Sequence, residues 1–388
     1  MRAEIVVVGC GVVGAMVAYE LNRQLVADIT VLEKSLPAQG STGAALGVLM
    51  GVISHKVKGR TWRLREASTR RYKTLIEELA QQGETVPFNH QGIVSLCFDE
   101  GKLSRWETLK EKRKKQGWPL EIWSPEEVQA RCPQVALESL VETESKEDSA
   151  EDAVRTVKAA IYSAMDGQVH PAELARSLSA VAGRQGVRFC SNAEVTELWV
   201  EGDLCRGVRT TQGDFSADWV VVCAGLGSAA LTQFMDEPLA LMPVLGQAME
   251  IQLPEVLGDE AFQPVINGED IQFVPLGEGR YWLGATVEFP KGEGPFPLPM
   301  EVEAQVLEIL QRGAARFCPA IREATVLDTW SGLRPRPVGQ PAPVIKPLGS
   351  VQNVTLATGH YRNGVLLAPA TAQQVCDLLS SALMKTSK

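Results

Sequence analysis

The chain has 388 residues, 45% of them apolar and 22% charged, which excludes intrinsic disorder as a class and suits two domains. Its net charge is −9, so it carries no global basic field of the kind that holds nucleic acid. Eight cysteines at 10, 97, 132, 190, 205, 223, 318 and 376 form no CxxC pair and suit buried thiols in a reducing, cytoplasmic setting. With four histidines and no HExxH, a histidine-based metal site is not expected.

Residues 5–8 are an unbroken apolar run, followed at once by Gly9-Cys10-Gly11-Val12-Val13-Gly14, a helix-like segment 15–21 and a second apolar run 29–32 that stops at Glu33. This is strand, glycine turn, helix, strand, acid. Gly9 permits a tight turn, Gly11 lets a pyrophosphate approach the backbone at the helix start, and Gly14 lets the helix pack close to the sheet. Glu33 stands where a carboxylate accepts hydrogen bonds from ribose hydroxyls. The plainer reading, a glycine-rich turn in a nucleotide-free α/β domain, explains the glycines but not Glu33. The apolar stretch at the start of the chain contains this turn and is too short to span a bilayer, and no later stretch is long enough.

A run of small residues follows, Gly40-Ser41-Thr42-Gly43-Ala44-Ala45-Leu46-Gly47, with hydroxyls at Ser41 and Thr42 able to donate to phosphate. Residues 60–82 read as a helix with Leu64, Ser68, Tyr72, Leu75, Ile76 and Leu79 on one face. Arg63, Arg65, Arg70 and Arg71 fall on its solvated side, and Gly83 ends it. Residues 91–98 form a strand. Residues 102–116 form a basic helix that also carries Glu107 and Glu111, so a solvated face explains it better than a nucleic-acid patch. Ser124-Pro125-Glu126-Glu127 is a helix start with a capping box. The acidic stretch 138–152 reads as an exposed junction between domains.

Beyond it, Asp166-Gly167-Gln168-Val169-His170-Pro171 turns into a helix over 172–183. Short strands follow at 187–190 and 195–200, with a hairpin around Gln212-Gly213. Residues 219–223 form a buried strand that meets Ala224-Gly225-Leu226-Gly227-Ser228, a second strand-to-glycine junction. Segments 243–253, 271–275 and 281–286 suggest an antiparallel sheet, and 301–317 an amphipathic helix. Gly332-Leu333-Arg334-Pro335-Arg336-Pro337 reads as proline-rich turns. A third junction closes the chain: strand 354–357, then Thr358-Gly359-His360-Tyr361-Arg362-Asn363-Gly364 and a last helix over 365–383. Its backbone N–H groups and helix dipole suit negative charge, as on a reduced flavin.

With these motifs the chain resembles the FAD-dependent D-amino-acid and amine oxidase family, nearest its glycine oxidase branch, over essentially its full length. The segments that carry the resemblance are Gly9 to Gly14 with Glu33, the 40–47 run, the Asp166 to Pro171 turn, 220–225, Pro243-Val244-Leu245-Gly246-Gln247, Gly284-Ala285-Thr286-Val287-Glu288, Gly332-Leu333-Arg334-Pro335 and 359–369. The resemblance implies noncovalent FAD. By motif, Val12 and Val13 face the pyrophosphate, and Glu33 and Lys34 lie at the adenosine ribose. Ser41, Thr42, Leu46, Gly47 and Val48 line the path to the flavin, and Val195 touches the adenine side. Gly359, His360, Tyr361, Arg362, Asn363, Gly364, Val365 and Leu366 hold the isoalloxazine. Arg334 matches the arginine that pairs with a substrate carboxylate, and Arg362 a second active-site arginine.

The chain departs from the family pattern in two places. Where glycine oxidases carry a carboxylate-binding tyrosine, this strand has Gln272, which can still donate to a carboxylate. After Arg334 a polar turn containing Asp is replaced by Arg336-Pro337-Val338-Gly339-Gln340. Glycine as substrate therefore does not follow.

The expected architecture is α/β. A Rossmann-like FAD-binding domain is drawn from 1–85, 150–235 and 330–388, and a second α+β substrate domain on an antiparallel sheet from 86–149 and 236–329. The expected activity is oxidation of a small amine or amino acid by hydride transfer to flavin, with O2 as acceptor; a homo-oligomer is compatible with it. A family dehydrogenase passing electrons to a quinone or carrier is the nearest rival. A nicotinamide-dependent dehydrogenase leaves the C-terminal motif unexplained. A flavin-binding protein without activity leaves both arginines without a role.

Overall fold

The computed structural model describes residues 2–140, 154–290 and 302–386. One sheet has six strands in the order Arg188–Cys190, Ala27–Leu32, Ala3–Val8, Trp219–Val222, Val354–Thr358 and Val344–Pro347. The first five are parallel and the last is antiparallel to its neighbour. Strands covered on both faces need continuous apolar runs, and Ile5 to Val8 and Trp219–Val222 are buried throughout. Alternate residues take opposite sides. Ile5, Val7, Ile29, Val31 and Val221 pack on the helices Val12–Gln24, Pro171–Arg184 and Gly364–Thr386. Val6, Val8, Val220, Val222 and Leu356 pack on a three-stranded sheet of Val195–Glu201, Leu204–Thr210 and Gly213–Ser216.

A second sheet has eight strands in the order Thr325–Pro337, Leu241–Gln252, Arg280–Gly284, Ile271–Gly277, Val265–Gly268, Ile93–Cys97, Ala159–Ser163 and Glu121–Trp123. It is antiparallel except where Val265–Gly268 meets Ile93–Cys97. One of its strands, Ala159–Ser163, lies within the 150–235 range expected for the other domain, and another, Thr325–Pro337, runs across residue 330. The helix expected over 301–317 spans Ala304–Ala315. The acidic junction lies largely outside the described residues, apart from Glu138–Leu140, which pairs with Val154–Thr156. No helix among the described residues is long and apolar enough to cross a membrane.

Three local expectations are overturned. Residues 332–337 are not turns but the end of the strand Thr325–Pro337, which pairs with Leu241–Gln252 along its length. That strand is the sheet's edge, where proline's missing N–H costs no ladder bond. Arg113 is not on a solvated face. It is fully buried, its guanidinium lies 3.5 Å from the Trp62 ring centre, and it donates to the carbonyls of Val52, Ser54 and Lys56. Fixed carbonyl acceptors and an aromatic face satisfy a planar guanidinium well enough to bury it. Arg65, also expected in solvent, is buried too and belongs to the site described below.

The last helix contains Pro369, which has no N–H to give the carbonyl of Val365 four residues earlier. Tyr72, on the helix Gly59–Gln81, supplies the donor: its hydroxyl reaches Val365 O at 2.5 Å. One turn earlier, Ser68 Oγ accepts from Ala370 N. The two helices are thus stitched where the last one is weakest, just behind Gly359 to Gly364. Tyr72→Phe is expected to cost about 1–3 kcal/mol, because it leaves a buried carbonyl unpaired while keeping the ring. Thermal unfolding checks this, and an unchanged Tm would contradict it.

Candidate active site

The parallel strands end level, with Val8 beside Leu32 and Val222, and Val222 beside Leu356. The glycine turn, Glu33, the second glycine junction and the third therefore leave one sheet edge together, the edge where α/β folds bind ligands. Gly9 has φ +98°, and a Cβ there would meet Cys223 O at 2.8 Å. A Cβ on Gly14 would sit 1.9 Å from Gly9 O. Both glycines are thus required for the helix start to come this close. Thr42 Oγ1 accepts from Val12 N at 3.0 Å, and Glu33 accepts from Cys10 N at 2.7 Å and Ser35 N at 3.2 Å. Ser41 gives its proton to Leu333 O at 2.6 Å, so its hydroxyl joins the 40–47 run to the strand of Arg334.

The closing turn is held from behind. Thr358 Oγ1 donates to Gly225 O at 3.1 Å, linking the third junction to the second. His360 is buried and its Nε2 lies 2.9 Å from Thr371 Oγ1, within the last helix; burial pushes its pKa down to about 3, so it is neutral. Tyr361 takes a left-handed conformation, φ +55°, unusual for a bulky residue, directly before Arg362. Arg65 donates to the carbonyl of Met50 and, at 3.0 Å, to Asn363 Oδ1, while its buried Nε has no partner among the described residues. Burial lowers its pKa, an effect opposed by the buried carboxylate of Asp166. Asp166 in turn accepts from the backbone of Gly51, Val52 and Ile53, each at 2.8 Å.

Arg334 reaches from its edge strand across Gly246. A Cβ on Gly246 would lie 2.2 Å from Arg334 Nη2, so a glycine there makes room for the guanidinium. Arg334 Nη1 donates to Leu245 O at 2.9 Å. Burial first, and then the like charge of Arg362, lower its pKa, with Tyr361 and Glu288 opposing. Arg362 lines the same cavity as Arg334 and is near enough for its charge to be felt there.

The glycine turn, the closing turn, Arg65 and Arg334 line one cavity of about 1920 Å³. Gly9, Gly11, Val12, Val13, Glu33, Lys34, Ser41, Thr42, Leu46, Gly47, Val48 and Val195 lie along it, as do Gln272, Arg334 and every residue from Gly359 to Leu366. Gly14 is the exception, lying behind the turn as a packing residue. Sequence reasoning missed Arg65, Ser95 and Asn267, which also line it. Arg65 had a signal: it precedes Ser68, Thr69 and Tyr72 by three, four and seven residues, on the buried helix stripe. Ser95 and Asn267 had none, because only strand pairing brings them beside Gln272.

The chain belongs to the FAD dependent oxidoreductase family, whose model matches residues 4–378. The chain spans about half the length of the first curated relatives it matches. One of these, the bifunctional protein ThiO/ThiG of Trichormus variabilis, is 28% identical over 383 residues, covering 98% of this chain and 53% of that protein. The glycine oxidase of Pseudomonas putida is 28% identical over 387 residues, covering 98% of this chain and 96% of that one. The crystal structure of glycine oxidase from Geobacillus kaustophilus has a TM-score of 0.82 at 26% identity, with 98% and 95% of the two chains covered. FAD is the cofactor of this family, and the residues present fit it: a Cβ-free cradle at a helix start, an acid at the next strand end and an unpartnered buried donor on Arg65.

Arg65→Met removes donors from two half-buried acceptors, Met50 O and Asn363 Oδ1. The expected cost is about 1–2 kcal/mol, seen as a lower Tm and weaker FAD retention. Wild-type values for both would show that Arg65 does not brace the turn.

Proposed function

We propose that the chain is an oxidase of a small amine or amino acid of the glycine, sarcosine or D-amino acid type. The reading rests on one observation: two guanidinium groups, Arg334 half-buried, converge in the cavity that begins at the glycine turn. A carboxylate between Arg334 and Arg362 relieves their repulsion and accepts charge-assisted hydrogen bonds from a planar fork. Held there, the α-carbon keeps one fixed orientation, which by itself lowers the barrier. FAD held without a covalent bond along the glycine turn, Glu33 and the closing turn would supply the acceptor for the α-carbon hydride, with O2 as the final oxidant and H2O2 as its product. The imino acid leaves and is hydrolysed by water to an oxo acid and ammonia.

In this reading hydride transfer needs no strong base from the chain. His360 is neutral, buried and engaged with Thr371, so we assign it a structural role. In this reading the residues around the six-stranded sheet hold the cofactor, and the eight-stranded sheet presents the substrate. The eight free cysteines, seven of them buried, agree with a reducing cytoplasm.

The purified protein is expected to be yellow, with an oxidised-flavin spectrum, and to release intact FAD on denaturation. A colourless protein that stays so after FAD addition would count against the noncovalent assignment. Arg334→Ala is expected to raise KM for a carboxylate substrate roughly 10- to 150-fold with FAD still bound; unchanged kinetics would remove the clamp. A peroxide screen over glycine, sarcosine, proline and D-amino acids tests substrate and acceptor together. Turnover with a quinone analogue but no peroxide would assign the chain to the dehydrogenases instead.

A further inference from the structure

The face of the eight-stranded sheet that meets the cavity carries an ordered row. Gly246 stands opposite Gly332, two residues from Arg334. Ala248 stands opposite Gly284, Gly284 opposite Gln272, Gln272 opposite Asn267, and Asn267 beside Ser95. Paired residues share a face, so this row runs from a guanidinium, over small residues, to two amides and a hydroxyl. The polar end is wired. Gln272 Nε2 donates to Asn267 Oδ1 at 2.5 Å, and Asn267 Nδ2 donates to Ser95 Oγ at 2.9 Å. That uses one of the two N–H donors of Gln272 and leaves its Oε1, which is buried and has no partner among the described residues.

We propose that Gln272 Oε1 accepts a hydrogen bond from the reacting amino group of the substrate, with Asn267 and Ser95 as positioning residues that turn the amide oxygen toward it. This reverses the role expected from the family tyrosine, a donor to the carboxylate. The inference rests on the oxidase reading above.

The placement agrees. The Arg334 guanidinium lies over Gly246, two strands across and two residues along from Gln272, so both groups stand on one sheet face and line the same cavity.

The chemistry agrees as well. When the α-C–H bond breaks with its electron pair, the nitrogen lone pair forms the C=N bond and the neutral amine becomes an iminium ion. A donor at Gln272 would occupy that lone pair. An acceptor takes an N–H instead and leaves the pair free. Burying an unpaired acceptor is costly, so a ligand without an amine is penalised at this position.

The test compares an amino acid that turns over with the acid that lacks only the amine: glycine with acetate, or D-alanine with propionate. The readouts are kcat/KM for the first and the competitive inhibition constant for the second. Gln272→Leu is expected to lower kcat/KM about tenfold or more while the inhibition constant moves by less than about threefold. If the two fall together, Gln272 binds the carboxylate and the proposal is overturned.

Gln272→Glu places a negative charge beside the amine, which favours the ammonium form. It is expected to move the rising limb of the kcat/KM pH profile to higher pH; an unmoved limb, with acetate binding lost, overturns the proposal. Asn267→Asp has no proton to give Gln272, so it can only hold the oxygen outward. It should retain several-fold more kcat/KM than Asn267→Leu, and a fall of both to the Gln272→Leu level would show the amide facing the other way. Flavin absorbance verifies that each variant is folded. If the wild type oxidises no amine and binds no carboxylate, the oxidase reading itself fails. If it does both and only the Gln272 split is missing, this inference alone falls.

Discussion

The level ending of parallel strands governs the molecule. Val8, Leu32, Val222 and Leu356 lie side by side because each strand is pinned to its neighbour by a backbone ladder. Residues far apart in the chain therefore leave the sheet at one height: Gly9, Glu33, Ala224 and Gly359 all begin their excursions at the same edge. The glycine turn then needs its two closest approaches, Gly9 to Cys223 and Gly14 to Gly9, or the first helix could not start where it does. Everything that forms the cavity is built outward from this edge.

The second constraint is the long pairing of Thr325–Pro337 with Leu241–Gln252. It carries Arg334 to the cavity and presents Gly246 beneath it. Ser41 and Trp330 tie this strand to the small-residue run, through Leu333 O and Ala44 O. The two sheets thus share a wall, and one cavity runs from the glycine turn to Arg334 and Arg362. Behind the closing turn, Tyr72, Ser68, Arg65 and Thr371 occupy acceptors and donors that Pro369 and the turn would otherwise leave exposed to a dry interior.

Much of this was legible in the chain. The glycine turn with Glu33 and the three strand-to-glycine junctions followed from local chemistry and are in place. So are the capping box at Ser124, the helix over Gly59–Gln81 and the antiparallel strands. The failures have a common cause. Pro335 and Pro337 carry strong turn signals, and only their position on a sheet edge makes them strand residues. Arg65 and Arg113 carry charge, and only the carbonyls that other segments bring to them allow burial. A local signal is overridden where a distant segment satisfies the group it concerns.

The sequence by itself determined the class: apolar runs, glycine spacing and a terminal acid are short-range requirements, readable wherever they occur. Membership of an FAD-dependent family follows from such motifs because the cofactor's phosphates and ribose need the same local geometry each time. Only the tertiary structure decided which groups share one cavity. Arg334, Gly246, Gln272, Asn267 and Ser95 come from five different strands, and their row across one sheet face is set by pairing register, which no single stretch of the chain encodes.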